Sequence, residues 1–274
     1  TRIQYLEYIM DNFTRTFVPK QKMWYDDLCE YYNVTKEQAL ELGTRSNGRK
    51  PNLPGSRTCE PVSGMTWEEF WDAKPRDTLE QKMAFYNEVG SWLSFRQSVY
   101  RKDFDYGQFY RQLCPTNGHI LEYGCGIAPL TDYVAKNYGD DHQYKFSLVE
   151  LASEAFEFAK WRLKNKAPKT EFKFYEPSHE HPVPDFGDDT FNLVCIMDVL
   201  EHLPNPYNVM KEIVKRCAPG AYIVDTWIDH DDDDVGYADL QEAADQRDIT
   251  IAMVKENFDL VSSPGGTINV WRKK

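Results

Sequence analysis

From His119 onward the chain alternates short apolar runs with amphipathic stretches, the pattern of strand–helix–strand units wound around a parallel sheet. It predicts strands over 119–123 (HILEY), 145–150 (KFSLVE), 171–175 (EFKFY), 191–197 (FNLVCIM) and 221–228 (AYIVDTWI). Helices are expected over about 129–138, 153–165, 205–216 and 238–255. In the third of these, Val209, Met210, Ile213 and Val214 fall on one face, the spacing of a helix laid on a sheet. Two last apolar runs, 258–263 (FDLVSS) and 267–273 (TINVWRK), are separated by Pro264, Gly265 and Gly266, so an antiparallel hairpin is expected at the end. The fold class is therefore α/β.

Before residue 115 the pattern is helical. Thr35 with Gln38, Thr66 with Glu69 and Thr78 with Gln81 each have the spacing at which a hydroxyl and a carboxylate or amide satisfy the open amides of a first helical turn. Residues 43–64, rich in Gly, Pro, Ser and Asn, form a connection long enough to be a flap or a surface strap. Aromatic residues crowd this half, among them Tyr31, Tyr32, Phe85, Trp92 and Tyr110. Two roles are open for them: packing against the second half, or lining a pocket. The division expected is a helical lid and specificity region over 1–115 and an α/β domain over 116–274.

Charge narrows the partners. The 274 residues carry a formal net charge of −12, and no dense basic cluster offsets it; WRLKNKAPKTEFK at 161–173 reads as a helix face and a strand entry. A nucleic-acid partner is not expected. No apolar run nears the length of a membrane span, so no membrane partner is expected either. The six cysteines have no CxxC pair or regular spacing, which suits reduced thiols and a cytoplasmic location. The chain opens on Thr1 instead of Met, as a trimmed piece of a longer protein would. A homodimer is compatible with all of this.

The chemistry concentrates in ILEYGCGIAPL, residues 120–130. A strand that runs into Gly-x-Gly and then a helix brings backbone amides close to a ligand. Glu150 ends the next strand, 24 residues beyond Gly126, where a carboxylate accepts both hydroxyls of a ribose. Glu122 stands two residues before Gly124 and would repel a pyrophosphate but attract a cationic amino group. Pro129 occupies the place of the third glycine of the dinucleotide pattern. These features favour S-adenosylmethionine over a nicotinamide dinucleotide.

From about residue 117 to the end, the chain resembles the class I S-adenosylmethionine-dependent methyltransferases. EYGCG resembles their first motif, SLVE their ribose-binding strand end, and DDTFNLVCIMDVLEHLPNP their fourth motif, followed by CAPGAYIV into the fifth strand. The resemblance implies a Rossmann-like, seven-stranded sheet with an antiparallel last strand. It implies S-adenosylmethionine as cofactor, with S-adenosylhomocysteine as product. Carried over residue by residue, Glu122, Tyr123, Gly124, Cys125 and Gly126 would wrap the methionine end, and Glu150 would grip the ribose. Leu151 would lie on the adenine, Glu176 would reach its amine, and Asp198 would face the methyl group or the amino-acid moiety. Arg96 or Tyr86 would be available to the ligand carboxylate.

Methyl transfer from a sulfonium is an in-line displacement, and a general base is needed only where the acceptor must lose a proton. His202, just past the fourth strand, is the candidate base, with Asp198 beside it. Asp198, Glu201 and His202 also repeat the spacing of a divalent-cation motif seen in some O-methyltransferases, with His230 arriving from the fifth strand; Asp in the first position shortens the reach, and no metal ligand is assigned. The acidic run DHDDDD at 229–234 is either a solvated loop or an attraction for a cationic acceptor. The expectation is a methyltransferase acting on an oxygen or nitrogen of a small molecule. The alternatives are a protein or RNA methyltransferase and a binding protein that keeps the fold without turnover.

Overall fold

The computed structural model describes residues 23–39, 107–177, 183–227, 240–263 and 268–274, together with isolated positions between 73 and 94. Seven strands form one sheet: β1 (His119–Tyr123), β2 (Lys145–Val149), β3 (Glu171–Tyr175), β4 (Phe191–Ile196), β5 (Cys217–Asp225), β6 (Phe258–Ser262) and β7 (Asn269–Lys273). Their order across the sheet is β3-β2-β1-β4-β5-β7-β6. The first five pair in parallel, and β7 inserts antiparallel between β5 and β6. The expected sheet and its antiparallel last strand are thus present. Pro264, Gly265 and Gly266, the expected turn, lie outside the described residues.

The central strands β1 and β4 are apolar on both faces because both faces are covered. Consecutive residues Leu193 and Val194 of β4 enter different core clusters, as do Ile120 and Leu121 of β1. On one face lie α2 (Gly107–Leu113), α3 (Pro129–Val134) and α4 (Glu154–Lys166), contributing Tyr110, Leu130, Val134, Phe156, Ala159 and Leu163. On the other lie α5 (Pro206–Arg216), α6 (Gln241–Asp245) and α7 (Arg247–Asn257), contributing Val209, Met210, Ile213, Ala243 and Val254. Each large apolar side chain taken from water in this way contributes about 1.5–3 kcal/mol before entropy is counted.

Local chemistry sets the ends of these helices. Ser153 caps α4 by accepting from the Phe156 amide at 3.2 Å, and Asn205 caps α5 by accepting from Asn208 at 3.3 Å, with Pro206 in the first helical position. At the other end of α5, the Lys273 ammonium donates to the carbonyls of Val214 and Cys217 at 3.1 and 2.6 Å, placing a cation where the helix dipole is negative. The reciprocal bonds expected at Thr35/Gln38 and Thr78/Gln81 are both formed. Thr66 and Glu69 lie outside the described residues.

Three boundaries differ from the sequence expectation. The helix after β1 stops at Val134 and continues as a π-helical turn, Ala135–Gly139. The helix expected over 238–255 is two helices that break at Gln246. Strand β5 begins at Cys217 and ends at Asp225, with a register shift opposite Phe191 and Leu193 that accommodates Pro219 and Gly220.

One further helix, α1 (Met23–Tyr32), packs on the α3/α4 side. Leu28 and Tyr32 join Ile127, Ala155 and Phe158 in a separate apolar cluster.

A buried polar contact fastens β5 to β7. The fully buried Asp225 accepts from the Trp271 indole at 2.8 Å and from the Trp227 amide at 2.8 Å. Trp271→Phe leaves the carboxylate without its ring donor and is expected to cost about 1–3 kcal/mol of stability in urea denaturation. A loss too small to measure would show that this bond contributes nothing net.

Candidate functional site

Parallel α/β sheets bind ligands beyond the carboxyl ends of their strands, at the point where strand order reverses. Here that point lies between β1 and β4, since β2 and β3 extend to one side of β1 and the later strands to the other. A small cleft sits there, lined by Glu122, Tyr123, Gly124, Pro129, Leu130, Cys195 and Met197. The loop from β1 to α3 forms its rim.

Backbone geometry in that loop demands glycine at one position above all. Gly124 has φ +72, and a Cβ built on it would stand 2.2 Å from Cγ2 of Val199. The Gly124 and Cys125 amides donate to the Val149 carbonyl at 2.8 and 3.2 Å, so the loop folds back over the end of β2. The Gly126 amide then donates to Glu150 Oε2 at 2.6 Å, while Glu150 Oε1 accepts from the Leu151 amide at 2.8 Å. Glu150 is thereby aimed across the loop. Ala128, at φ 50 and ψ 53, closes the turn, and Pro129 starts α3.

Glu122 is buried, and its Oε2 accepts from both the amide and the hydroxyl of Thr131, at 3.2 and 2.5 Å. The carboxylate therefore serves the first turn of α3 as well as facing the cleft. Burial pushes the Tyr123 phenol up, and pushes the Cys125 thiol well above its ordinary value, with Glu122 and Glu150 adding to the effect. Cys195, beneath the cleft, is raised by burial too. All three are protonated and neutral near pH 7, so the charge that the cleft presents is that of Glu122.

At the end of β4, Asp198 has φ +54, a left-handed conformation that Asp tolerates better than most residues. Its amide donates to Thr226 Oγ1 at 2.7 Å, tying the ends of β4 and β5 together. His202 ends a short 3-10 turn, Leu200–His202, with its amide on the Val199 carbonyl and its ring Nε2 4.0 Å from Glu201 Oε1. Glu176 follows β3 and is bonded by Lys160, which also pairs with Glu157. Leu151 follows Glu150 directly at the turn out of β2.

The structure thus brings Glu122, Tyr123 and Gly124 onto one cleft, with Cys125, Gly126 and Glu150 joined at its rim. Glu176 stands on the α4 side, engaged by Lys160. Among the described residues no three His, Cys, Asp or Glu side chains converge as metal ligands; His230 and the run at 229–234 lie outside them, as do Arg96 and Tyr86. The described helices include none long and apolar enough to cross a membrane.

Sequence reasoning missed three contributors. Thr226 carried no motif, and Val199, inside the fourth motif, was given no role of its own. Arg162, read as part of a basic helix face, is fully buried and donates from Nη2 to the carbonyls of Ile127 and, at 3.2 Å, Ala128.

The donor set fits S-adenosylmethionine. A cleft whose charge is one carboxylate suits a ligand with a sulfonium and an ammonium and repels a pyrophosphate. Glu150, held by two amides, keeps further acceptor capacity for a pair of hydroxyls.

Comparison with known proteins agrees. Residues 92–261, more than half of the chain, match the model of the methyltransferase domain, and the chain belongs to that family, within the class I S-adenosylmethionine-dependent methyltransferases. It is similar to the ubiquinone biosynthesis O-methyltransferase of Hydrogenovibrio crunogenus, 26% identical over 107 residues that cover 39% of this chain and 41% of the relative. The enzyme of the same name from Albidiferax ferrireducens is 25% identical over 118 residues, covering 42% and 44%. The matched segment spans less than half the length of either relative. Among solved structures, N-methyltransferase NodS from Bradyrhizobium japonicum WM9, in complex with S-adenosylhomocysteine, aligns with a TM-score of 0.40 at 15% identity over 57% of this chain and 78% of that one.

Two expectations follow. Gly124→Ala should destabilise the fold by about 1–3 kcal/mol through the left-handed backbone and the Val199 clash, and adding Val199→Ala should recover part of that loss in thermal denaturation. No recovery would place the strain elsewhere. At pH 8, Cys114, whose pKa is pushed up to about 12, and Cys125 should resist alkylation in the folded protein. Because the folded values lie above the unfolded ones, stability should be fully present below about pH 9 and fall as pH rises toward 12. Rapid labelling of Cys125 at pH 8 would contradict its buried placement.

Proposed function

We propose that this chain transfers a methyl group from S-adenosylmethionine to an oxygen or nitrogen atom of a small-molecule acceptor. The observation that carries the reading is the cleft at the β1/β4 switch point, where Glu122 supplies the charge and Glu150 is aimed across a glycine loop. The cofactor, when bound, supplies an electrophilic methyl on a sulfonium; the remaining work belongs to the side chains.

In this reading Glu150 accepts from the ribose hydroxyls, and Leu151 lies against the adenine. Glu176 reaches the adenine amine only by sharing or releasing Lys160, a competition that leaves it a minor contributor. Gly124 and Gly126 let backbone approach the ligand, with Tyr123 and Cys125 forming neutral walls. Glu122 attracts the ammonium end while capping α3. Asp198, its left-handed backbone fixed by Thr226, faces the methionine moiety and the methyl. His202, in the 3-10 turn just past β4, takes the proton of a hydroxyl or ammonium acceptor.

The names of the two curated relatives support oxygen as the acceptor atom. In this reading the region 1–115, whose α1 packs on the α3/α4 side of the sheet, supplies the lid that excludes water and selects the acceptor for the domain 116–274.

The test is a transfer assay with methyl-labelled S-adenosylmethionine against panels of phenols, catechols and amines. Glu150→Ala should weaken S-adenosylhomocysteine binding by about 1–3 kcal/mol. His202→Ala should lower turnover about 100-fold or more while leaving cofactor affinity nearly intact. An equal loss of turnover and affinity in His202→Ala would make it a structural residue, and unchanged affinity in Glu150→Ala would remove Glu150 from the ribose site.

A further inference from the structure

The glycine loop is held from below by a side chain that is not among those lining the cleft. Arg162, fully buried on α4, donates from Nη2 to the carbonyls of Ile127 and Ala128, and its Nε lies 3.5 Å from Asp132 Oδ1. Its guanidinium also sits 5.1 Å from the centre of the Phe158 ring. Those carbonyls belong to the residues that close the loop. Ala128 occupies the left-handed region without being glycine, and it precedes Pro129, which disfavours helical backbone in the residue before it. A conformation disfavoured on both counts persists only where its surroundings hold it.

The restraint extends to α1. Lys136 bridges Asp132 to Asp27 of α1, at 2.9 and 3.0 Å, and Lys166 lies 3.7 Å from Asp27 on its other oxygen. Asp27 is itself buried. A second, apolar route runs in parallel: Leu28 and Tyr32 of α1 share a cluster with the Ile127 side chain and with Phe158, the ring beneath Arg162. Ionic and apolar routes from α1 converge on residues 127 and 128.

We propose that Arg162 is the positioning residue of the cofactor loop and that α1 presses the loop into its binding shape through Asp27 and Ile127. This rests on the reading of the cleft as a cofactor site. The helix before the α/β domain then sets cofactor affinity by acting through the loop. Lysine does not replace Arg162, because Nη2 bonds the two carbonyls while a second nitrogen, Nε, faces Asp132 at 3.5 Å, and a single ammonium on a lysine stem cannot stand at both places.

The experiment uses the full chain and three variants, Arg162→Lys, Asp27→Asn and, as a control, Val214→Ala on the opposite face of the sheet. Amide hydrogen exchange is followed without ligand at Ala128 and Asp132, whose amides bond to Cys125 and Ala128 within the loop. S-adenosylhomocysteine affinity is measured by calorimetry on the same samples. Arg162→Lys should speed exchange at both amides and weaken affinity about tenfold, and Asp27→Asn should move the same two readouts about threefold. Val214→Ala should lower the melting temperature while moving neither.

Unchanged exchange in both loop variants overturns the proposal, as does faster exchange with unaltered affinity. A change in Val214→Ala equal to that in Arg162→Lys would reduce Arg162 to general stability. Wild-type protein that fails to bind S-adenosylhomocysteine while its loop amides still respond to Arg162→Lys rejects the cofactor reading, and the cofactor role of Arg162 with it.

Discussion

The bond from the Gly126 amide to the Glu150 carboxylate joins the loop after β1 to the end of its parallel neighbour β2, beside the point where strand order reverses. Much of the site is arranged around that bond. It requires the loop to turn back over β2, which Gly124 permits by lying at positive φ and by leaving room for Val199. It requires α3 to start where it does, which Pro129 and the Thr131–Glu122 contacts determine. It leaves the Glu150 carboxylate at the carboxyl end of a parallel sheet, the edge on which such sheets receive ligands.

The sequence announced the fold through strands buried on both faces, since runs such as HILEY and FNLVCI have few other environments in a protein of this size. Where local preference and tertiary demand parted, the reading slipped. The break at Gln246 lies in a stretch that is continuous as a helical pattern, and the chain turns there because α6 packs beside the Leu200–His202 turn while α7 packs on α5. The early start of β5 was hidden by Pro219 and Gly220, which ordinarily argue against a strand and here sit at a register shift.

At the site, Glu122, Gly124, Gly126 and Glu150 were legible because each fills a need that few residue types meet. Arg162 was not, because its segment WRLKNK reads as a solvated helix face, and only the three-dimensional arrangement reveals that the first of its basic residues points inward under the loop. Thr226 was hidden for the opposite reason: an ordinary threonine at a strand end carries no signal until the amide that it accepts, that of Asp198, is seen in a left-handed conformation. Motifs report the residues that meet a ligand, whereas those that hold the motif in shape are dispersed through the chain.

A cleft built for a cationic, phosphate-free nucleoside ligand is tested most directly by parallel calorimetric titration of the wild-type chain with S-adenosylhomocysteine and with a nicotinamide dinucleotide at low ionic strength. Micromolar binding of the first and none of the second is expected. Binding of the dinucleotide in preference to S-adenosylhomocysteine would contradict it, because Glu122 would then be facing a pyrophosphate.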